Sequence, residues 1–169
     1  SPWGIVYSKS PPPGSGTSDI PANILIMLDK SGSMDWNISG RTTLDDPTDV
    51  EVDSNGNIYI LEYGRNRITK WNSSGTYIKD IGQTQSCNRW GGSWFFKISD
   101  DKIYIADYDR RELLKLDLNG NCIKRVRTPY YGPNGIEVAN GYVFVSHYYD
   151  GRIAVYNTSN LGFVTSKYV

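Results

Sequence analysis

Long apolar runs, histidine, cysteine and net charge are all scarce in this chain of 169 residues. The longest stretch that suggests a membrane, Ile24–Leu28, is far short of the roughly 20 residues that a helical span needs. A transmembrane helix is therefore not expected. The 18 basic and 18 acidic residues cancel, so no long-range field draws the chain to nucleic acid or anionic lipid. His147 is the single histidine, and serine-triad or Cys–His catalysis would have to use it. No Gly-x-Ser-x-Gly elbow accompanies it, and no thiol lies near it in sequence, so no enzyme is expected. The two cysteines, Cys87 and Cys122, fit no common zinc spacing. A disulfide between them and two free thiols both remain open; a disulfide would favour an exported protein. The N-terminus carries no signal peptide, as a processed export or a cytosolic protein would both show.

Aromatic residues are abundant. Thirteen Tyr and 5 Trp in a chain that is 38% hydrophobic favour strands and argue against disorder. Residues 1–20 read as a tether, because Ser10-Pro11-Pro12-Pro13-Gly14-Ser15-Gly16 joins a stiff proline run to a flexible Gly/Ser stretch. Residues 23–29, Asn-Ile-Leu-Ile-Met-Leu-Asp, form a continuous apolar run ending in an acid, the pattern of a strand buried on both faces.

From residue 46 onward one pattern recurs over 46–82, 91–127 and 133–168. Each copy reads as four short strands joined by hairpin turns such as Ser54-Asn55-Gly56-Asn57 and Asp117-Leu118-Asn119-Gly120. The second strands begin at Ile58, Ile103 and Val143. Four antiparallel strands at a period near 40 residues make a propeller blade, so the fold class expected is all-β. Pro47-Thr48-Asp49-Val50-Glu51-Val52-Asp53 through Ile58-Tyr59-Ile60, then Asn66-Arg67-Ile68, resembles the NHL-repeat family of β-propellers. Gly132-Pro133-Asn134-Gly135-Ile136 and Arg152-Ile153 repeat the match. The middle copy departs, with Glu112 where the family has Arg and no leading Pro. Closed propellers have about four to eight blades. Three blades imply a portion of a longer protein, a partnering copy, or open edges covered by other strands.

Asp29-Lys30-Ser31-Gly32-Ser33-Met34 follows the apolar run. It resembles the metal-ion-dependent adhesion motif of von Willebrand factor A domains, and residues 21–40 then read as the first strand and metal loop of such a domain. The resemblance implies that Asp29, Ser31 and Ser33 ligate a divalent cation, Mg²⁺, Mn²⁺ or Ca²⁺, through hard oxygen donors.

Other candidates carry less. Asp53-Ser54-Asn55-Gly56-Asn57 lacks an EF-hand's ligand series and reads as a turn. Tyr63, Tyr108 and Tyr148 follow Glu62, Asp107 and His147 at equivalent positions, where repeat packing is the leading reading. Arg65, Arg67, Arg110 and Arg111 lie near tyrosines, but the interleaved acids argue against RNA. The function expected is an adhesin-like extracellular or cell-surface protein, in a pilus or filament, that binds a protein or surface ligand through the metal motif and the blades. The pairing of the two families resembles, in outline, the tip adhesins of type IV pili. Two alternatives are a structural subunit assembling by strand pairing and a metal-dependent lyase-type propeller, which would need more inward ligands than His147 supplies.

Overall fold

The computed structural model describes residues 44–82 and 89–169. The tether, the A-domain-like strand with Asp29, Ser31 and Ser33, and Cys87 lie outside these residues. The described chain forms twelve strands in three four-stranded antiparallel meanders. Blade 1 contains β1 (Pro47–Val52), β2 (Ile58–Glu62), β3 (Arg67–Trp71) and β4 (Tyr77–Ile81). Blade 2 contains β5 (Phe96–Ser99), β6 (Lys102–Asp107), β7 (Glu112–Asp117) and β8 (Cys122–Arg127). Blade 3 contains β9 (Pro133–Ala139), β10 (Tyr142–His147), β11 (Arg152–Asn157) and β12 (Phe163–Tyr168). The three sheets form an open, unclosed ring.

The hairpin turns form where the sequence places Asx-Gly signals. Asp53 accepts backbone N–H bonds from Asn55 and Asn57, both at 2.9 Å, and bonds from the Asn57 amide at 2.8 Å and the Tyr59 hydroxyl at 3.0 Å. Burial raises its pKa, but the bonds from Asn57, Tyr59 and Asn55 outweigh that and hold the carboxyl below its ordinary value. Asp117 is saturated in the same manner by Asn119 and Asn121. Both carboxylates serve turns, as the Asn-Gly pattern anticipates.

Because strand side chains alternate, each blade has two faces. Tyr59, Leu61, Ile68 and Ile81 of blade 1 meet Phe96, Ile103, Ile105, Leu114 and Leu116 of blade 2 in one core. Trp90 completes it; a Cβ on Gly82, whose φ is +105°, would lie 2.4 Å from the Trp90 ring. Tyr104, Ala106 and Leu113, on the other face of blade 2, meet Val143, Val145, Ala154 and Tyr156 of blade 3. Lysines staple the blades. Lys70 of β3 donates to the Leu118 carbonyl at 3.3 Å, and its counterpart Lys115 of β7 to the Thr158 carbonyl at 2.6 Å. The first strands of the blades run side by side, and Lys97 on β5 bridges Glu51 on β1 at 2.9 Å and Glu137 on β9 at 3.6 Å. One end of every blade thereby gathers the start of its first strand, the loop between its second and third strands, and the end of its fourth.

Candidate functional site: the aromatic end of the blades

At that shared end each blade buries a three-residue polar cluster made of equivalent positions. In blade 1, Arg67 pairs with the fully buried Glu62 through its Nε and Nη2 atoms and with Asp80 at 2.9 Å. In blade 2 the signs of the two outer positions are exchanged. Glu112 stands where Arg67 stands, Arg125 stands where Asp80 stands, and Arg125 bonds both Glu112 and the buried Asp107. Burial pushes the Asp107 carboxyl up, opposed by the Arg110 and Gly91 amides, then by the Arg110 and Arg125 guanidiniums. The family departure at Glu112 is thus a charge swap within a conserved geometry of the repeat, not a lost contact. In blade 3 the cluster is His147, Arg152 and Ser166, with no acid. Arg152 donates to Ser166 Oγ at 3.2 Å, and neither ring nitrogen of His147 has a hydrogen-bond partner.

The loops above these clusters expose aromatics. Tyr63 stacks against Trp94 with ring centroids 4.6 Å apart. Tyr108 donates to the Tyr149 hydroxyl at 2.8 Å, and Tyr149 meets Tyr148 edge-on at 5.2 Å. The Tyr149 bond pushes the Tyr108 phenol up to about 12. A Cβ on Gly132 would lie 2.9 Å from the Tyr149 ring, so glycine is required where this pair closes over the connector. Phe95 and Tyr131 are also exposed, and Tyr148 and Tyr149 are 72% and 68% accessible. Repeat packing therefore accounts for Glu62, Asp107 and His147, which are buried, but not for the tyrosines that follow them. Strand alternation carries the signal: a buried residue closing the second strand turns its successor outward.

Arg65, Arg67 and Arg110 each pair with an acid. The residues sequence reasoning passed over as site residues are Arg127, Tyr130 and Trp94, which arrive at this end from a strand terminus and connectors with no local motif; Arg152 is visible only as part of the repeat pattern. Cys122 on β8 is disulfide-bonded, and Cys87 is the only other cysteine in the chain.

The expectation of a divalent cation is corrected. Among the described residues no group of three or more His, Cys, Asp or Glu side chains gathers to hold a metal ion. The described acids have other work: Asp53 and Asp117 close turns, and Glu62, Asp107 and Glu112 answer guanidiniums. No helix among the described residues is long and apolar enough to cross a membrane.

Residues 44–71 match the family model of the NHL repeat. No curated protein sequence matches the chain. Solved structures that share its fold include hydrazine synthase of Kuenenia stuttgartiensis, at TM-score 0.63 and 14% identity over 79% of this chain and 39% of that one. Virginiamycin B lyase of Staphylococcus aureus aligns at TM-score 0.58 and 19% identity, over 73% of this chain and 41% of the lyase. BamB of Moraxella catarrhalis aligns at TM-score 0.57 and 19% identity, over 76% of this chain and 40% of BamB. The chain spans about two fifths of the length of each. At these identities the likeness is one of fold, and it establishes a β-propeller-like architecture containing an NHL repeat.

Proposed function

We propose that this chain is a recognition module, not an enzyme, that binds a protein partner outside the cytosol through the aromatic end of its blades. The observation that carries the reading is the row of exposed Tyr63, Trp94, Phe95, Tyr131, Tyr148 and Tyr149, joined by the half-buried Tyr108, on loops held by rigid sheets. Tyr, Trp and Arg are the residues enriched in the energetic centres of protein interfaces. Tyr and Trp also present large contact areas with only two side-chain torsions to immobilise. The disulfide-bonded Cys122 supports an oxidising location, and an extracellular or cell-surface role fits both features.

The test is affinity capture from surface and secreted fractions, then reconstitution with the purified captured protein. Trp94→Ala combined with Tyr149→Ala is expected to weaken the reconstituted complex at least tenfold, since each anchor is worth about 1–2 kcal/mol or more. An affinity unchanged by this pair would sink the reading.

A second reading is a structural subunit. It is favoured by Phe144, Ile153 and Val155, which lie half-buried on the face of blade 3 turned away from blade 2. The occupant this reading names is a second copy of the chain.

A further inference from the structure

We infer that the cleft between blades 2 and 3, which opens at the aromatic end beside Arg111 and Arg127 and extends to Phe163 at the start of β12, takes a carboxylate from the protein partner, an Asp or Glu of an acidic segment. This rests on the protein-binding reading and names the chemistry of the partner. The cleft has a volume of about 500 Å³ and is lined by Arg111, Arg127, Thr128, Pro129, Tyr130 and Phe163. Arg111 lies flat on the Tyr131 ring, its guanidinium carbon 3.4 Å from the centroid, and its Nε is buried with no hydrogen-bond partner. Arg152 adjoins through Tyr130. Its guanidinium is 5.0 Å from that ring and 3.4 Å from the Tyr168 ring, and the Tyr130 hydroxyl shares Ser166 with it at 2.7 Å.

Among the described residues Arg111, Arg127 and Arg152 form no ion pair, whereas Arg65, Arg67, Arg110 and Arg125 all do. The repeat says what is missing. Arg67, the counterpart of Arg152, is neutralised by Glu62 and Asp80, and blade 3 holds His147 and Ser166 at those positions. The guanidinium has been kept while both carboxylates have been replaced, and the loop acid Asp150 is engaged by the Tyr131 backbone N–H at 2.5 Å, which leaves room for an acid supplied by a partner. Planar guanidiniums stacked on aromatic rings are preorganised for bidentate bonds to a carboxylate.

The backbone points the same way. Asn66, Arg111 and Gly151 occupy equivalent loop positions with φ of 48°, 59° and 55°. That left-handed conformation suits Asn and Gly and disfavours a long side chain. Arg111 is therefore held at a strained position, with its buried Nε unmatched at the cleft.

The probe is fluorescein-labelled hexaglutamate, read by fluorescence anisotropy at low ionic strength. The protein is expected to bind it, and Arg111→Asn with Arg127→Gln is expected to weaken binding at least tenfold. Arg111→Asn installs the residue blade 1 carries at that backbone position, so the thermal midpoint is expected to stay or rise. Should the double variant fail to fold, Arg127→Gln alone, at an exposed side chain, is expected to weaken binding at least threefold. No binding by the wild type at millimolar probe, or equal binding by wild type and variant, overturns the inference. Displacement of the probe by an equal concentration of inorganic phosphate also overturns it, by reassigning the cleft to tetrahedral oxyanions. Hexaglutamate reads the cleft alone. Its failure leaves the dependence of capture on Trp94 and Tyr149 untouched, and failure of that dependence leaves the hexaglutamate result standing.

Discussion

His147 stands where blades 1 and 2 bury an acid that is matched to a guanidinium. It is 2% exposed, meets Tyr130 edge-on at 5.4 Å, and has no hydrogen-bond partner on either ring nitrogen. Burial pushes its pKa down; the Tyr131 and Tyr130 backbone, which approaches the ring without reaching hydrogen-bond geometry, and Asp150 oppose this, and Arg111 reinforces it. Arg152, paired with it across the strands, adds a further positive charge. In the unfolded chain the imidazole titrates near its ordinary value of about 6.5. The unfolded state therefore binds more protons than the folded state between that value and the lower folded one. The stabilisation is fully present above pH 6.5 and is lost as pH falls through that value toward the folded pKa. Each tenfold weakening of proton binding corresponds to about 1.4 kcal/mol. Asp49 and Asp107, whose pKa values burial raises, work in the opposite direction at lower pH, so the difference between two proteins is the useful measurement. Thermal midpoints measured from pH 7.5 to 5.0 are expected to fall for the wild type by several degrees more than for His147→Gln. Parallel profiles would show that the imidazole does not have to charge for blade 3 to loosen.

The charge swap between blades 1 and 2 makes a prediction at the level of the element. Glu112 and Arg125 face Asp107 in an arrangement that mirrors Arg67 and Asp80 around Glu62. Glu112→Arg alone places a second guanidinium beside Arg125 and is expected to cost about 3 kcal/mol in urea denaturation, the range for breaking a buried pair. Adding Arg125→Asp restores the arrangement of blade 1 and is expected to recover at least half of that loss. Strict additivity of the two changes would mean that the cluster is not a unit. The same cluster explains what could be read from the sequence. Strand spacing, the Asn-Gly turns and the buried faces were legible because each depends on residues close together in the chain. The match at residues 44–71 falls on the blade whose Arg follows the family pattern. The compensating Arg125 lies thirteen residues beyond Glu112 on another strand, and no period links them. The aromatic end was hidden for the same reason. Trp94, Tyr130 and Arg127 sit in connectors and strand ends, and only the stacking of blades brings them beside Tyr63, Tyr131 and Arg111.

At the scale of the whole molecule, the repeat supplies its own control for blade 3. The positions of Tyr59, Leu61 and Ile68 recur as Tyr104, Ala106 and Leu113, and then as Phe144, Ser146 and Ile153. In blades 1 and 2 the following blade covers them completely or nearly so, with accessibilities of 0–2%. In blade 3 Phe144 and Ile153 are half-buried and Ser146 is exposed. Val155 stands where Lys70 and Lys115 reach across to the next blade's turn. Substituting an apolar residue for that lysine removes the interblade staple and leaves a more apolar face. Such a face gains about 25 cal/mol for each Å² of apolar surface removed from water, and a second copy of the chain presents the same apolar surface to it. Glu137 on β9 and Lys167 on β12 lie at opposite margins of the face. A twofold axis would bring the same face of two copies together, the self-complementary pairing of an isologous dimer. Light scattering across a concentration series is expected to show dimers of the wild type, and Phe144→Asp with Ile153→Asp is expected to return the monomer mass. A chain of these 169 residues that stays monomeric at all concentrations, or a dimer indifferent to both substitutions, would overturn pairing through this face.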